Sequence, residues 1–252
     1  MRSSSPLRLW LVALSGLLLS LAACKADDPT PAGGRVTLEL EHLGPDGQRF
    51  NLGRMYTSAA GDRYLIQKLK YYVSNVRLMR PDGSSWAEPA SYHLVTVASG
   101  QPASIILHGV PSGPYTALSL AMGVDSAANS RTDQIGDLNP TNEMVWDWST
   151  GYMFLKLEGL HVLGTAPDPA TDVALELMPG TAPAYRTISL ALPAEARVAS
   201  GQSPVIRLKA DVNRLFGGPR VIRLPPHYFL VQGADTTALK LADNYGSWFS
   251  VD

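Results

Sequence analysis

The sequence predicts an all-β domain, an antiparallel β-sandwich of Greek-key type with short helical turns. Short stretches of alternating apolar and polar residues recur along the chain, each closed by a turn signal. With 22 glycines and 19 prolines spread among them, long helices have little room. A chain of 252 residues can enclose one large β core without dividing.

Taken in order, Val36, Leu38, Leu40 and His42 fall on one face of a first strand, with Thr37, Glu39 and Glu41 on the other. Gly44-Pro45-Asp46-Gly47 then turns the chain. A long strand over 63–79 carries Tyr64-Leu65-Ile66, Leu69, Tyr71, Val73, Val76 and Leu78, and Pro81-Asp82-Gly83 ends it. Further short strands are read over 92–97, 104–107, 115–124, 152–157, 173–177, 186–192 and 205–212. Residues 213–216 read as a single helical turn and 238–244 as a short helix.

The N-terminus reads as an address. Arg2 and Arg8 precede an apolar run from Leu9 to Leu21 that is too short to span a bilayer comfortably. It closes on Leu21-Ala22-Ala23-Cys24, the small-residue pattern of a bacterial lipoprotein cleavage site. Residues 1–23 are therefore expected to be removed, Cys24 to be lipidated, 24–34 to form a polar Pro/Gly tether, and 35–252 to be the domain. Two acyl signals anchor stably where one is marginal. Lys25 after the cysteine points to the outer membrane, facing the periplasm or the cell surface. Without Arg2 and Arg8 the chain keeps 19 basic against 22 acidic side chains, a net charge of −3. That balance excludes a general nucleic-acid binder.

Cys24 is the only cysteine, so neither a disulfide nor a thiolate metal cage is available. A metal would need His, Met, carboxylate or backbone oxygen. His42 ends its strand on the apolar face, and His93 begins its own on the face of Val95 and Val97. If those strands lie close and antiparallel, the two imidazoles converge at one mouth of the sandwich. His108, His161 and His227 read as structural or surface residues. Asp125, Asn129, Asp133, Asp137 and Asn139 crowd one loop, where turn chemistry competes with a Ca²⁺ reading. Lys156 and Glu158 read as a solvent-side ion pair. Trp86, Trp146 and Trp148 are large rings suited to a core, to a stacking platform for sugars, or to an electron relay. No G-x-S-x-G, H-E-x-x-H or P-loop pattern is present, and no enzyme is expected.

Residues 138–159, LNPTNEMVWDWSTGYMFLKLEG, carry a more specific pattern. Leu138, Pro140, Met144, Trp146, Trp148, Gly151, Tyr152, Phe154, Lys156, Glu158 and Gly159 match L-x-P-x-x-x-M-x-W-x-W-x-x-G-Y-x-F-x-K-x-E-G. With the Y-Y-x-S-N element at 71–75 and the N-x-x-x-x-F ending at 244–249, the chain resembles the MbnP-like family of periplasmic copper-binding proteins. The resemblance implies a β-sandwich that binds copper, with His42 and His93 as ligands. It also implies a partner, the diheme cytochrome c peroxidase-like protein MbnH, which oxidises a tryptophan two residues before the first histidine to kynurenine. Here that position is Leu40. Where many members carry H-x-G, this chain has Met178-Pro179-Gly180, which makes Met178 a soft substitute ligand. With leucine at 40, Trp146 and Trp148 become the indoles open to such a partner, with Tyr152 nearby as a relay. The competing expectation is a structural or interaction lipoprotein that keeps the scaffold and binds no metal.

Overall fold

The computed structural model describes residues 33–131, 133–146, 151–199 and 201–252. Cys24, the expected leader and the tether lie outside the described residues, as does Trp148. Among the described residues thirteen strands dominate: β1 (Gly34–Leu43), β2 (Met55–Thr57), β3 (Arg63–Met79), β4 (Ser85–Ala87), β5 (Tyr92–Thr96), β6 (Ala103–Val110), β7 (Gly113–Met122), β8 (Leu155–Val162), β9 (Val173–Pro179), β10 (Arg186–Val198), β11 (Val205–Asp211), β12 (Phe229–Gly233) and β13 (Phe249–Val251). Helices are short: α1 (Ser126–Asn129), α2 (Arg214–Gly217) and α3 (Thr236–Tyr245), with 3₁₀ turns at Gly136–Leu138, Pro140–Asn142 and Ala182–Ala184.

Two sheets build the sandwich. One runs β13-β11-β1-β6; the other runs β10-β7-β3-β8-β9-β12, with β2, β4 and β5 also on β3. The sandwich expectation holds, but the sheets are mixed and not purely antiparallel. β1 pairs parallel with β11, and β12 pairs parallel with β9. Alternation along a strand records which face is buried and carries nothing about the direction of its neighbour.

β3 organises the larger sheet. Its first half, Arg63 to Tyr71, pairs with β8, and its second, Val73 to Met79, pairs with β7. Tyr72 sits at the handover: its N–H donates to the Phe154 carbonyl (3.0 Å) and its C=O accepts from Gly123 N–H (3.0 Å). A Cβ at Gly123, whose φ is +107°, would lie 2.4 Å from the Phe154 ring, so only glycine fits. Asn75, at φ +52°, marks the irregular register between Ser74 and Arg77. In this conformation its amide donates to Asp125 (3.0 Å) and to the Tyr185 hydroxyl (2.7 Å).

The two sheets enclose one core, to which β1 gives Val36, Leu38 and Leu40, and β3 gives Tyr64, Ile66, Leu69, Tyr71 and Val73. The strand expected from Tyr152 begins only at Leu155. Tyr152 and Met153 make isolated bridges instead, because Gly151 takes φ +85° and the Tyr152 N–H is drawn to the Asn129 side chain (2.8 Å). On the solvent face, Glu158 pairs with Lys68 (2.9 Å) and Lys156 (3.2 Å), consistent with the surface role read for that pair.

Candidate functional site

His42 is the most unusual polar group in the core. Alternation along β1 carries it inward behind Val36, Leu38 and Leu40, and it is 3 % exposed. On β11 its register partner is Ala210, itself paired with Phe249 of β13, so small and aromatic side chains flank it. From the opposite sheet comes Tyr71, whose hydroxyl lies 2.8 Å from His42 Nε2. Tyr71 in turn packs edge-on against Trp248, with ring centres 4.9 Å apart, and against Phe249 at 6.2 Å.

Burial disfavours the charged imidazolium and lowers the His42 pKa from 6.5 to about 4, so the ring is neutral at neutral pH. Desolvation likewise pushes the Tyr71 phenol well above its ordinary value. Two buried nitrogens here, His42 Nδ1 and Trp248 Nε1, have no hydrogen-bond partner among the described residues. The tautomer that donates from Nε2–H to the Tyr71 oxygen leaves Nδ1 with a free lone pair. A metal-ligating histidine takes the same form, with its second nitrogen held by an outer group.

His93 is placed differently. It lies on β5 opposite Val73, and its Nε2 is 2.7 Å from Glu88 Oε2. Ser91 Oγ donates to the same carboxylate oxygen at 2.6 Å. The condition on which the two imidazoles would converge, close antiparallel pairing of their strands, is not met. β1 belongs to the four-stranded sheet, whereas β5 pairs with β3 in the other. Tyr71, which contacts His42, pairs on β5 with Val95, two positions from His93.

Met178 lies on β9 opposite Gln232 and is buried. Alternation sets it on the other face from Leu175 and Leu177. The three expected ligands thus occupy three strands, and no hydrogen bond or ring contact joins any two of them. Among the described residues no group of three or more His, Cys, Asp or Glu is arranged to hold a metal. Among the described residues the one buried imidazole nitrogen left without a partner is His42 Nδ1, and no completed donor set surrounds it.

Most of the other candidate residues that are described have structural contacts. Asp125 caps α1 and accepts from Asn75 and from the Tyr92 hydroxyl (2.7 Å), Asp133 pairs with Arg131, and Asp137 accepts from Leu94 N–H (2.9 Å). Turn chemistry thus occupies the acidic loop. Tyr72 and Tyr152 stack edge-on and donate to the carbonyls of Asp137 (2.9 Å) and Leu138 (2.6 Å), clamping that loop onto the sheet. His161 bonds the Pro225 carbonyl (2.8 Å), while His108 and His227 are exposed. Trp86 and Trp146 are half-buried against the core, with the Trp146 ring beside Gly180. Tyr71, Trp248 and Glu88 were not singled out as neighbours of the histidines. Tyr71 had a signal, since it falls on the Leu69 and Val73 face of β3; Glu88 had none.

The profile of the MbnP family matches residues 33–237. The chain belongs to the MbnP family. Among solved structures, MbnP from Methylosinus trichosporium is similar at 14 % identity and a TM-score of 0.49, over 74 % of this chain and 78 % of that one. No curated protein matches. The MbnP match includes His42, His93, Met178 and the stretch from 138 to 159, and it ends before the Asn244 to Phe249 motif. In this MbnP-family chain the signature residues have local structural work: Tyr152 clamps the acidic loop, Glu158 joins the lysines, and Gly159 admits close strand contact.

Proposed function

We propose that this MbnP-family protein is a lipid-anchored copper-binding protein of the outer membrane, with His42 as its principal ligand through Nδ1. The observation that supports the reading is a buried, neutral imidazole with one nitrogen held by Tyr71 and the other unpartnered among the described residues. A neutral imidazole suits copper, which also accepts thioether donors. The protein would bind and orient the ion; nothing in its sequence asks for turnover. Titration of copper into a chain lacking residues 1–24 checks this. His42→Ala should abolish tight binding, and His93→Ala should weaken it less, because His93 must first leave Glu88. Unchanged stoichiometry in His42→Ala removes the reading. It would leave the alternative, a scaffold that binds no metal, which the Glu88–His93 contact and the lack of a donor triad among the described residues favour.

A diheme peroxidase-like partner belongs to the same proposal. Leu40 has no indole to open, so Trp146 and Trp148 are its targets. Peptide mass mapping after co-expression should find kynurenine at one of them and none in protein made alone. Two intact indoles under co-expression would refute it.

A further inference from the structure

Between Asp211 and Asp235 the chain has no acidic residue, yet it carries Arg214, Arg220, Arg223 and His227. The middle of this stretch is fixed rigidly. Asn244, fully buried, donates to the carbonyls of Leu215 (2.8 Å) and Arg220 (2.7 Å) and accepts from Arg220 N–H (2.8 Å). Leu224 N–H donates to Asp62 (3.0 Å), Arg223 reaches the Ala60 carbonyl, and His161 holds the Pro225 carbonyl.

Between this pinned segment and the start of α3 lies a cleft of about 450 Å³. Ile222 and Phe229 form its apolar wall, and Arg223, His227, Lys240 and Thr237 supply its polar rim. No carboxylate lines it among the described residues. Arg220 nearby is committed to Asp243 (3.1 Å), and Arg223 has only a distant acid, Asp62 at 3.8 Å. Lys240 and His227 have no ion pair or side-chain hydrogen bond among the described residues, and both are exposed.

We propose that this cleft is a second binding site, for a small organic carboxylate with a compact apolar body. Its volume lies within the roughly 300–1,000 Å³ typical of small-molecule sites. Charge-assisted bonds from Lys240 and Arg223 would hold the carboxylate, and the wall of Ile222 and Phe229 would take the body. The backbone flanking Ile222 is already fixed by the Asn244 and Asp62 contacts, so binding has mainly the exposed side chains of Lys240 and Arg223 to order. None of the residues used here touches His42, so the proposal stands apart from the copper reading.

The probe is 2-naphthoate, titrated calorimetrically into the purified full chain, with 2-naphthamide and inorganic phosphate as comparisons. Saturable one-to-one binding of naphthoate is expected, with both comparisons much weaker. Lys240→Glu reverses a charge on an exposed helical position and should weaken binding at least about tenfold. His227→Glu should act in the same direction, at a position that also leaves the core untouched. Absence of naphthoate binding, equal binding of the neutral amide or of phosphate, or unchanged affinity in both variants would overturn the proposal.

Discussion

Gly159→Ala is expected to destabilise the protein by roughly 4 kcal/mol, or to prevent folding outright. The cause is steric and not a matter of backbone angle. Gly159 faces Ile66 on one side and Leu175 on the other, next to the register shift between Ile66 and Lys68. A Cβ there would stand 2.2 Å from the Leu65 carbonyl oxygen and 3.1 Å from Ile66 Cα. Both are backbone atoms of the central strand, which also holds β2 through the Met55–Leu65 and Tyr56–Tyr64 pairs. Nothing flexible can yield. At Gly47, where φ is +70° and no atom lies within 4 Å of a built Cβ, the same substitution should cost only about 1 kcal/mol. Urea unfolding of the two variants beside the parent checks the contrast. Equal small losses would show that β3 and β8 do not approach this closely.

The second large effect depends on pH. The His42 pKa is about 4 in the folded protein and 6.5 when exposed. Between those values the unfolded chain binds a proton that the folded chain refuses, so stability rises with pH across the interval. The contribution is complete above pH 6.5 and has gone by about pH 4; the 2.5-unit gap corresponds to about 3 kcal/mol. Asp125, held below its ordinary value by hydrogen bonds, and Glu158 and Asp243, held below theirs by hydrogen bonds and ion pairs, lose their contributions at lower pH still. Comparing metal-free parent with His42→Phe isolates the histidine. The parent should lose about 3 kcal/mol relative to the variant between pH 6.5 and 4. Parallel curves would mean that His42 is hydrated or already charged in the fold.

Much of this fold is legible along the chain because burial writes itself in alternation. β1 and β3 were plain in the apolar rows from Val36 to Leu40 and from Tyr64 to Leu78. β2, β4 and β13 were not, having only three residues each, too few to show a period. β12 begins at Phe229, three residues after Pro226, where punctuation masks a short strand. The site divides in the same way. That His42 points inward follows from β1 alone. Its partner Tyr71 comes from the other sheet, and His93 takes a carboxylate from five residues upstream. The first contact depends on how the sheets stack and the second on the path of the loop between β4 and β5, and neither is encoded in local alternation.

The parallel pairing of the first strand with β11 sets the order of assembly. Glu39 of β1 faces Arg207 across a separation of 168 residues, and the side chains of the two meet at 3.3 Å. As the chain is synthesised N-terminus first, β1 emerges early and must wait for nearly all the rest before its second edge is covered. Contacts this distant in sequence slow folding, because a long loop must close before they repay it. The domain therefore cannot lock from its leading end. Its smaller sheet stays incomplete, with one edge of β1 open, until the last fifth or so of the chain has been made.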